Sequence, residues 1–218
     1  IVSDVTGPGK DTRHWWERNP VLWRLFRRTI FKDVLQGVLL GAGVAILLGF
    51  TLSLVVTIQT SSKANGWSSP TRCGEPGGLL VEASCAMVYP AINVPSEATY
   101  WTATVDRNRA TLDGKKTYVI HFATGGAPPV KAFWSITMGD AKSRLMVANA
   151  QHRYSVGSHS GLVTNADGSL DVYLGPSAPA GHEANWLPTP SGNFMLWLRL
   201  YLPSDPTWTP PGIQELQS

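Results

Sequence analysis

The sequence has little charge and little cysteine. Of its 218 residues, 15% are Asp, Glu, Lys or Arg, and two are cysteines. Two cysteines without further Cys or His ligands at zinc spacing do not make a structural zinc site, and no C-x-x-C redox motif is present. The five histidines also show no metal-ligand spacing. We therefore predict no metal and no cofactor.

Complete catalytic motifs are absent as well. Gly157–Gly161 resembles a nucleophile elbow, but His159 stands in the middle position, where the G-x-S-x-G motif needs serine. His182-Glu183 begins like a zinc-binding helix, yet two prolines follow too closely for a helix to form. We predict no catalytic residues, and we expect that the protein is not an enzyme.

Most of the chain has no excess of positive charge. The net charge is +3, and residues 1–33 hold seven Lys or Arg against four Asp or Glu, whereas the remainder holds eleven of each. A nucleic-acid-binding domain spreads basic residues over a folded face. We therefore predict no nucleic-acid partner, and a membrane surface instead.

One segment contains no charged residue at all. It runs from Val34 to Ile58, which is 25 residues and long enough to cross a bilayer with some tilt. A cleaved signal peptide is the alternative, but the preceding segment is over thirty residues long and no clean small-x-small cleavage site follows the run. We predict an uncleaved transmembrane helix at residues 34–58.

Residues 1–33 form a basic and aromatic arm before this span. Because Lys and Arg stay on the cytoplasmic side, the arm is predicted to be cytoplasmic and the C-terminal part periplasmic or otherwise extracytoplasmic. Asn19-Pro20 reads as an N-cap followed by proline at the first helical position. From there, apolar residues lie opposite arginines, which indicates an interfacial helix at the headgroup level. A continuous extension of the membrane helix is an equal alternative.

Small residues recur at every fourth position of the predicted span. This small-residue stripe consists of Gly37, Gly41, Ala45, Gly49, Ser53 and Thr57. Glycine costs a helix roughly 1 kcal/mol relative to alanine, and in lipid the usual return is close approach to another helix, as in G-x-x-x-G pairs. We predict a packed partner, which is a second copy, a different transmembrane subunit, or a bound pigment or lipid.

The next segment, residues 59–95, is rich in Ser, Gly and Pro and shows no lasting periodicity. It reads as a linker or irregular apron. It contains both cysteines, Cys73 and Cys85, and in an oxidising compartment such a pair predicts one disulfide. Two free thiols are the alternative.

Residues 96–218 alternate between apolar and other residues with a period of two. In the last long run, Phe194, Leu196 and Leu198 fall on one face of a strand. Asp113-Gly114 and Asp167-Gly168 lie between such runs as predicted hairpin turns. Short alternating runs separated by turn residues predict a mainly β fold, a sandwich or barrel.

Several motifs of this region occur together in one known family. They are Pro128–Met138, Asn149–Gly157, Asn165–Asp171, Glu183–Pro190 and Leu198–Tyr201. In this order they resemble the bacterial family called domain of unknown function 1214, over roughly Ser96 to Pro211. The resemblance implies a jelly-roll-like β-sandwich. Because the family is bacterial, the resemblance and the predicted span together imply a bacterial inner-membrane protein. It supplies no established reaction and no catalytic residues, and Gly139 stands where that family often has an aromatic residue.

The sandwich loops offer candidate ligand residues, each of which also has a structural interpretation. They are Arg153, His159, Glu183, Asn185 and Trp186. The loop of Glu183 and Trp186 either binds a ligand or plugs one end of the sandwich, and plugging is favoured. Arg153 either holds an acidic group or, more simply, pairs with Asp140 or Asp171. For stacking on a sugar, the candidates among the nine tryptophans are Trp101, Trp197 and Trp208.

Together these features predict a single-pass accessory or structural subunit of a larger membrane complex. Its helix is expected to dock through the small-residue stripe, and its sandwich to cover the complex. The host complex can be photosynthetic, respiratory or envelope-building. The alternatives are a membrane-tethered ligand- or carbohydrate-binding domain and an uncharacterised enzyme. A self-associating dimer shares the stripe but needs no foreign subunit.

The predicted topology can be tested with an impermeant thiol reagent on intact cells. A cysteine introduced next to Lys10 should be shielded from the reagent, whereas one next to Asp205 should react, because the basic arm stays on the cytoplasmic side. The reverse labelling pattern would contradict both the orientation and the expectation of an oxidising compartment for Cys73 and Cys85.

Overall fold

The computed structural model describes residues 14–59, 61–70, 73–88 and 92–216. Residues 1–13 of the predicted arm lie outside this description, as do the side chains of Trp15 and Trp16. The chain divides into two compact units, Ile1–Thr51 and Leu52–Ser218.

The described part of the first unit is helical. A short helix, α1 (Trp15–Arg18), precedes α2 (Pro20–Gln59), a helix of 40 residues that continues into the second unit. Asn19 accepts the first bond of α2 through its carbonyl, from the Trp23 N–H at 3.0 Å. No glycine or proline follows until Gly37, so nothing in the sequence breaks the helix near residue 33. Of the two alternatives for residues 20–33, the structure therefore shows the continuous helix.

By length and composition, α2 can cross a membrane. Within the described residues it is the one helix that meets both criteria, over Pro20–Val56. These criteria alone fit an anchor or a signal sequence.

The second unit contains two β-sheets. Its elements are β1 (Ser61–Ala64), β2 (Trp67–Pro70), α3 (Leu79–Val88), β3 (Ala98–Ala103), β4 (Thr117–Phe122), β5 (Trp134–Asp140), β6 (Ser155–Gly157), β7 (Leu170–Gly175), β8 (Trp186–Pro188), β9 (Phe194–Tyr201) and β10 (Ile213–Leu216), with a 3-10 turn at Glu183–Asn185. Six strands form one sheet in the order β1-β2-β3-β9-β5-β6, and four form the other in the order β10-β4-β7-β8. The pairs are antiparallel except β7 with β8.

Both sheets bury alternate residues in one shared core. Ile120 and Val172 come from the four-stranded sheet and Ile136 and Leu198 from the six-stranded sheet, and all four are fully buried. Burying such a side chain contributes roughly 1.5–3 kcal/mol, which is why the period of two is so regular in these strands. The prediction of a mainly β protein is confirmed.

The six-stranded sheet begins earlier than the predicted boundary at residue 96. Strands β1 and β2 lie in the segment that reads as an apron, and Trp67 of β2 pairs with Ala103 of β3. Asn65 and Gly66 form the two-residue turn between them, with φ values of 51° and 90°. Positive φ at both positions is the geometry for which Asn-Gly is favoured in hairpins. Strands β1 and β2 are too short to show alternation of apolar and polar residues. The Asn-Gly dipeptide is therefore the one feature of the sequence that indicates this hairpin.

The predicted disulfide between Cys73 and Cys85 is present, with an S–S distance of 2.02 Å. Both cysteines are buried in a small second cluster with Val81, against which Val56 and Ile92 pack. The disulfide thus joins the loop before α3 to the middle of that helix.

We expect the disulfide to stabilise the segment around α3 more than the sandwich, because its small cluster is separate from the shared core. Closing a loop of this length restricts the unfolded chain by about 2–3 kcal/mol. Reduction should therefore raise amide exchange in residues 73–88 and leave β9 protected, which hydrogen-exchange mass spectrometry measures. Recovery of both cysteines as alkylated free thiols, by peptide mapping without reductant, would contradict the pairing.

Candidate functional site

Four members of the small-residue stripe are exposed on α2. Gly37, Gly41, Ala45 and Gly49 all face outward in the chain. A Cβ atom built on any of the three glycines meets nothing within 4 Å. This line of the helix is therefore open to close approach by another helix.

The fifth member, Ser53, is buried within the second unit. It is 6% exposed, and its carbonyl accepts a hydrogen bond of 3.0 Å from the Ser84 hydroxyl of α3. One turn further on, Val56 packs against the disulfide cluster. At this position α2 packs against α3 of the same chain, a contact that the sequence did not indicate because α3 lacks a polar face.

Arg153 binds the backbone of the loop before β8. Its Nη1 donates to the carbonyl of Glu183 at 2.8 Å and its Nη2 to the carbonyl of Ala184. The simpler expectation, a pairing with Asp140 or Asp171, is wrong. The Arg153 guanidinium is thus used to hold a loop, which leaves fewer of its N–H groups for an acidic ligand.

The Glu183 side chain is engaged locally. Its carboxylate accepts a bond of 3.1 Å from the Gly181 N–H. The N–H groups of Glu183 itself and of Gly181 hold the pKa of this carboxyl below its usual value. An ionised carboxylate of this kind is unsuited to act as a general acid near neutral pH.

Asn185 and Trp186 fill the space beside β7. The Asn185 amide is 3% exposed and donates to the carbonyls of Val163 and Asp171 at 2.7 and 2.8 Å, while its oxygen accepts the Val163 N–H at 2.8 Å. The Trp186 indole donates to the carbonyl of Gly175 at 2.9 Å. With their polar groups paired internally, these two side chains have the geometry of a plug.

His159 belongs to a different cluster from the other four loop residues. Its ring stacks on Phe133 with centroids 5.5 Å apart, and Phe133 stacks in turn on Tyr201 at 4.3 Å. The structure therefore brings Arg153 to the loop of Glu183 and Asn185, but it does not add His159 to that group.

A polar pair that the sequence did not single out joins β4 to β7. His121 Nδ1 lies 2.6 Å from Asp171 Oδ1, and the two residues are direct partners across the strands. Asn165 donates to the other carboxylate oxygen at 2.8 Å. In the part of the chain that is described, no hydroxyl or thiol is bonded to the second His121 nitrogen, so the pair resembles two members of a triad without the nucleophile.

Metal ligands are not assembled within the described ranges. No group of three or more His, Cys, Asp or Glu side chains there could hold a metal ion.

An aromatic groove of the second unit lies along β3. It has a volume of about 500 Å³, and Tyr100, Trp101 and Trp208 line it, together with Cys73 and Ile92. Trp101 is 5% exposed, and among the described residues its indole nitrogen is buried without a hydrogen-bond partner. A buried unpaired donor costs roughly 1–3 kcal/mol, and here that cost falls within the shared core.

The three candidate tryptophans have different environments. Trp101 belongs to the shared core, and Trp197 lies on β9 with the Arg199 guanidinium 5.9 Å from its ring centre. Trp208 is half-buried at the groove, and its indole donates to the Gly126 carbonyl at 3.3 Å. Of the three, Trp208 therefore combines partial exposure with a place in the groove.

Two solved structures are similar to this chain. The VPA0106 protein from Vibrio parahaemolyticus is 27% identical with a TM-score of 0.57, over 65% of this chain and 36% of that one. An uncharacterized protein from Burkholderia cenocepacia is 20% identical with a TM-score of 0.42, over 77% of this chain and 39% of that one. This chain thus spans little more than a third of either protein. No curated protein matches it.

A family model described as "Protein of unknown function (DUF1214)" matches residues 97–205. The matched segment runs from β3 to β9, so it contains the central strands of both sheets. The resemblance predicted from the strand motifs is confirmed, and this chain belongs to the DUF1214 family.

Proposed function

We propose that this chain is a single-pass accessory subunit of a larger membrane complex. Its helix α2 spans the bilayer and docks through Gly37, Gly41, Ala45 and Gly49, and its two-sheet domain covers part of the complex. One observation carries this proposal, which is that the three glycines open onto empty space on an apolar helix.

The composition of α2 supports docking over simple tethering. A tether needs only hydrophobicity, which leucine or valine supplies without weakening the helix. Each glycine in the stripe costs roughly 1 kcal/mol relative to alanine. Small residues at this spacing let two helix backbones approach closely, and the resulting packing offsets that cost.

The junction around Ser53 supports an uncleaved anchor over a signal sequence. The second unit begins at Leu52, and both Ser53 and Val56 contribute to its packing. Removing the end of α2 would leave the Ser84 hydroxyl without one acceptor and uncover the disulfide cluster. A cleaved leader has no such share in the mature fold.

The proposed location is the bacterial inner membrane, with the N-terminus cytoplasmic and the two-sheet domain periplasmic. The disulfide suits an oxidising compartment outside the cytoplasm. The excess of Lys and Arg before the span favours this orientation. The partners are then the lipid bilayer and either other transmembrane subunits or a second copy of this chain.

Docking can be tested with the double variant Gly41→Leu, Gly49→Leu. Leucine favours the bilayer, so insertion should persist, but its side chain should block close approach and release the protein from its partners. The measurement is co-purification in mild detergent followed by mass spectrometry. If the partners co-purify with the double variant at wild-type yield, α2 acts only as a tether and the docking proposal is wrong.

Gly43→Leu is the matched control. Gly43 has equally open surroundings, but two residues from Gly41 it lies about 200° away around the helix. It should retain the partners. If Gly43→Leu also releases the partners, the loss comes from adding leucine anywhere on α2 and not from the small-residue stripe. Two differently tagged copies that purify together without a foreign subunit would identify a dimer.

A second candidate function is ligand binding in the groove at Trp101 and Trp208. The half-buried ring of Trp208 at this groove favours it, since a partly exposed aromatic side chain offers a surface on which a ligand can stack. A sugar ring on Trp208 has the apolar face and polar edge that such a groove fits.

Titration of the purified protein with soluble oligosaccharides tests this second function by tryptophan fluorescence. If the groove binds sugar, Trp208→Ala should weaken binding at least several-fold because the stacking surface is lost. Trp197→Ala is the control, since Trp197 does not line the groove. Unchanged fluorescence of the wild-type protein across the oligosaccharide series would exclude the sugar.

A further inference from the structure

Helix α3 is apolar on more than one face. Val81 and Cys85 are buried in the disulfide cluster, while on the other sides Leu79 is 82% and Leu80 is 43% exposed. Its one charged residue is Glu82. A helix that is apolar nearly all round is normally covered on every side, yet among the described residues α3 is covered on the side of Val81 and Cys85, and Leu79 and Leu80 stay exposed.

The hydroxyl of Ser84 is the polar group of α3 that faces inward, and it is hydrogen-bonded. Ser84 is 2% exposed, and its one hydroxyl hydrogen is shared between the carbonyl oxygens of Ser53 and Leu80, which lie 3.0 and 2.6 Å away. Such pairing is what an apolar environment demands of a hydroxyl. The disulfide at Cys85 fastens the helix at this position.

The contact with α2 places α3 at a defined depth. Ser53 and Val56 belong to the charge-free run 34–58, whose middle residue is Ile46. At a rise of 1.5 Å per residue, they lie about 10 and 15 Å from the middle of the run. The hydrocarbon core of a bilayer extends about 15 Å from its mid-plane. With the middle of the run at the mid-plane, the contact therefore lies in the outermost part of the hydrocarbon core, next to the headgroups.

We propose that α3 is an interfacial helix whose free apolar surface lies in the lipid of the outer leaflet. This inference rests on the proposed membrane anchor. With ten residues, α3 is about 15 Å long and cannot cross the bilayer. At the depth of the Ser53 contact it lies along the membrane surface instead, and the occupant of its exposed apolar side chains, Leu79 and Leu80, is lipid.

The residue order of α3 gives the helix a definite rotation in the membrane. Leu80 and Glu82 are two residues apart and therefore about 200° apart around the axis. Of the two flanks beside the face packed on Ser53, the flank of Leu80 points to the acyl chains and that of Glu82 to water. An apolar side chain and a carboxylate on opposite flanks fit the two sides of such an interface.

Spin labels on the full-length protein test this placement. Single cysteines replace Leu80, Glu82, Leu47 in the span and Leu145 on the sandwich, in vesicles of phosphatidylethanolamine and phosphatidylglycerol. The native cysteines are joined and buried, so without reductant the label attaches to the introduced thiol. The measurement is the ratio of collisions with oxygen, which dissolves in lipid, to collisions with a water-soluble nickel chelate.

The expected ratio is several-fold higher at Leu80 than at Glu82 and Leu145, and highest at Leu47. Equal, water-like ratios at Leu80 and Glu82 together with a high ratio at Leu47 would overturn the placement of α3 and leave the anchor standing. A water-like ratio at Leu47 would overturn the anchor itself, and the inference with it. A high ratio at both Leu80 and Glu82 would overturn the proposed rotation.

Discussion

The contact between the end of α2 and α3 is the constraint on which the placement of α3 depends. It includes the hydrogen bond from the Ser84 hydroxyl to the Ser53 carbonyl and the packing of Val56 on a cluster closed by the disulfide. The cluster is small and separate from the shared core. Without the covalent link, so few apolar side chains would hold a ten-residue helix weakly, because short helices depend on tertiary packing. The disulfide and the helix end therefore stabilise one another's positions.

The regular parts of the fold were predictable because burial repeats with the backbone period. Strands such as β4 and β9 alternate since every second side chain enters one core. The elements that escaped are those without a period. Strands β1 and β2 have four residues each, and α3 has apolar residues on nearly every side. A periodic sequence pattern arises where one face of an element is buried and the other is exposed to water. In these elements the two faces differ little in residue type.

The glycines illustrate how one residue type serves different physical needs. Gly168, with φ of 80°, supplies the positive φ expected of its turn. Gly114 does not, and it is needed because a Cβ there would lie 1.7 Å from the Pro190 carbonyl oxygen. At Gly139, a Cβ would lie 2.3 Å from the Trp197 ring, so the indole of β9 occupies the space that a side chain at this position would need. This contact joins two strands, and the sequence of β5 alone does not indicate it.

The candidate loop residues were identified by type, and their roles were decided by partners far along the chain. Arg153 and Asn185 carry the donors that a ligand site would use, but Arg153 lies 30 positions from the Glu183 carbonyl that it binds. The Asn185 side chain binds both backbone groups of Val163, accepting from its N–H and donating to its carbonyl. Because desolvated polar groups are costly to unpair, these side chains hold their loops closed in preference to exchanging partners for a ligand. The chemistry left over for recognition is then mostly apolar, on the glycine face of α2, the free side of α3 and the groove at Trp101. Apolar surfaces of this kind bind by packing, so they support the proposed role as a component of an assembly more than they support binding of a polar ligand by the loops.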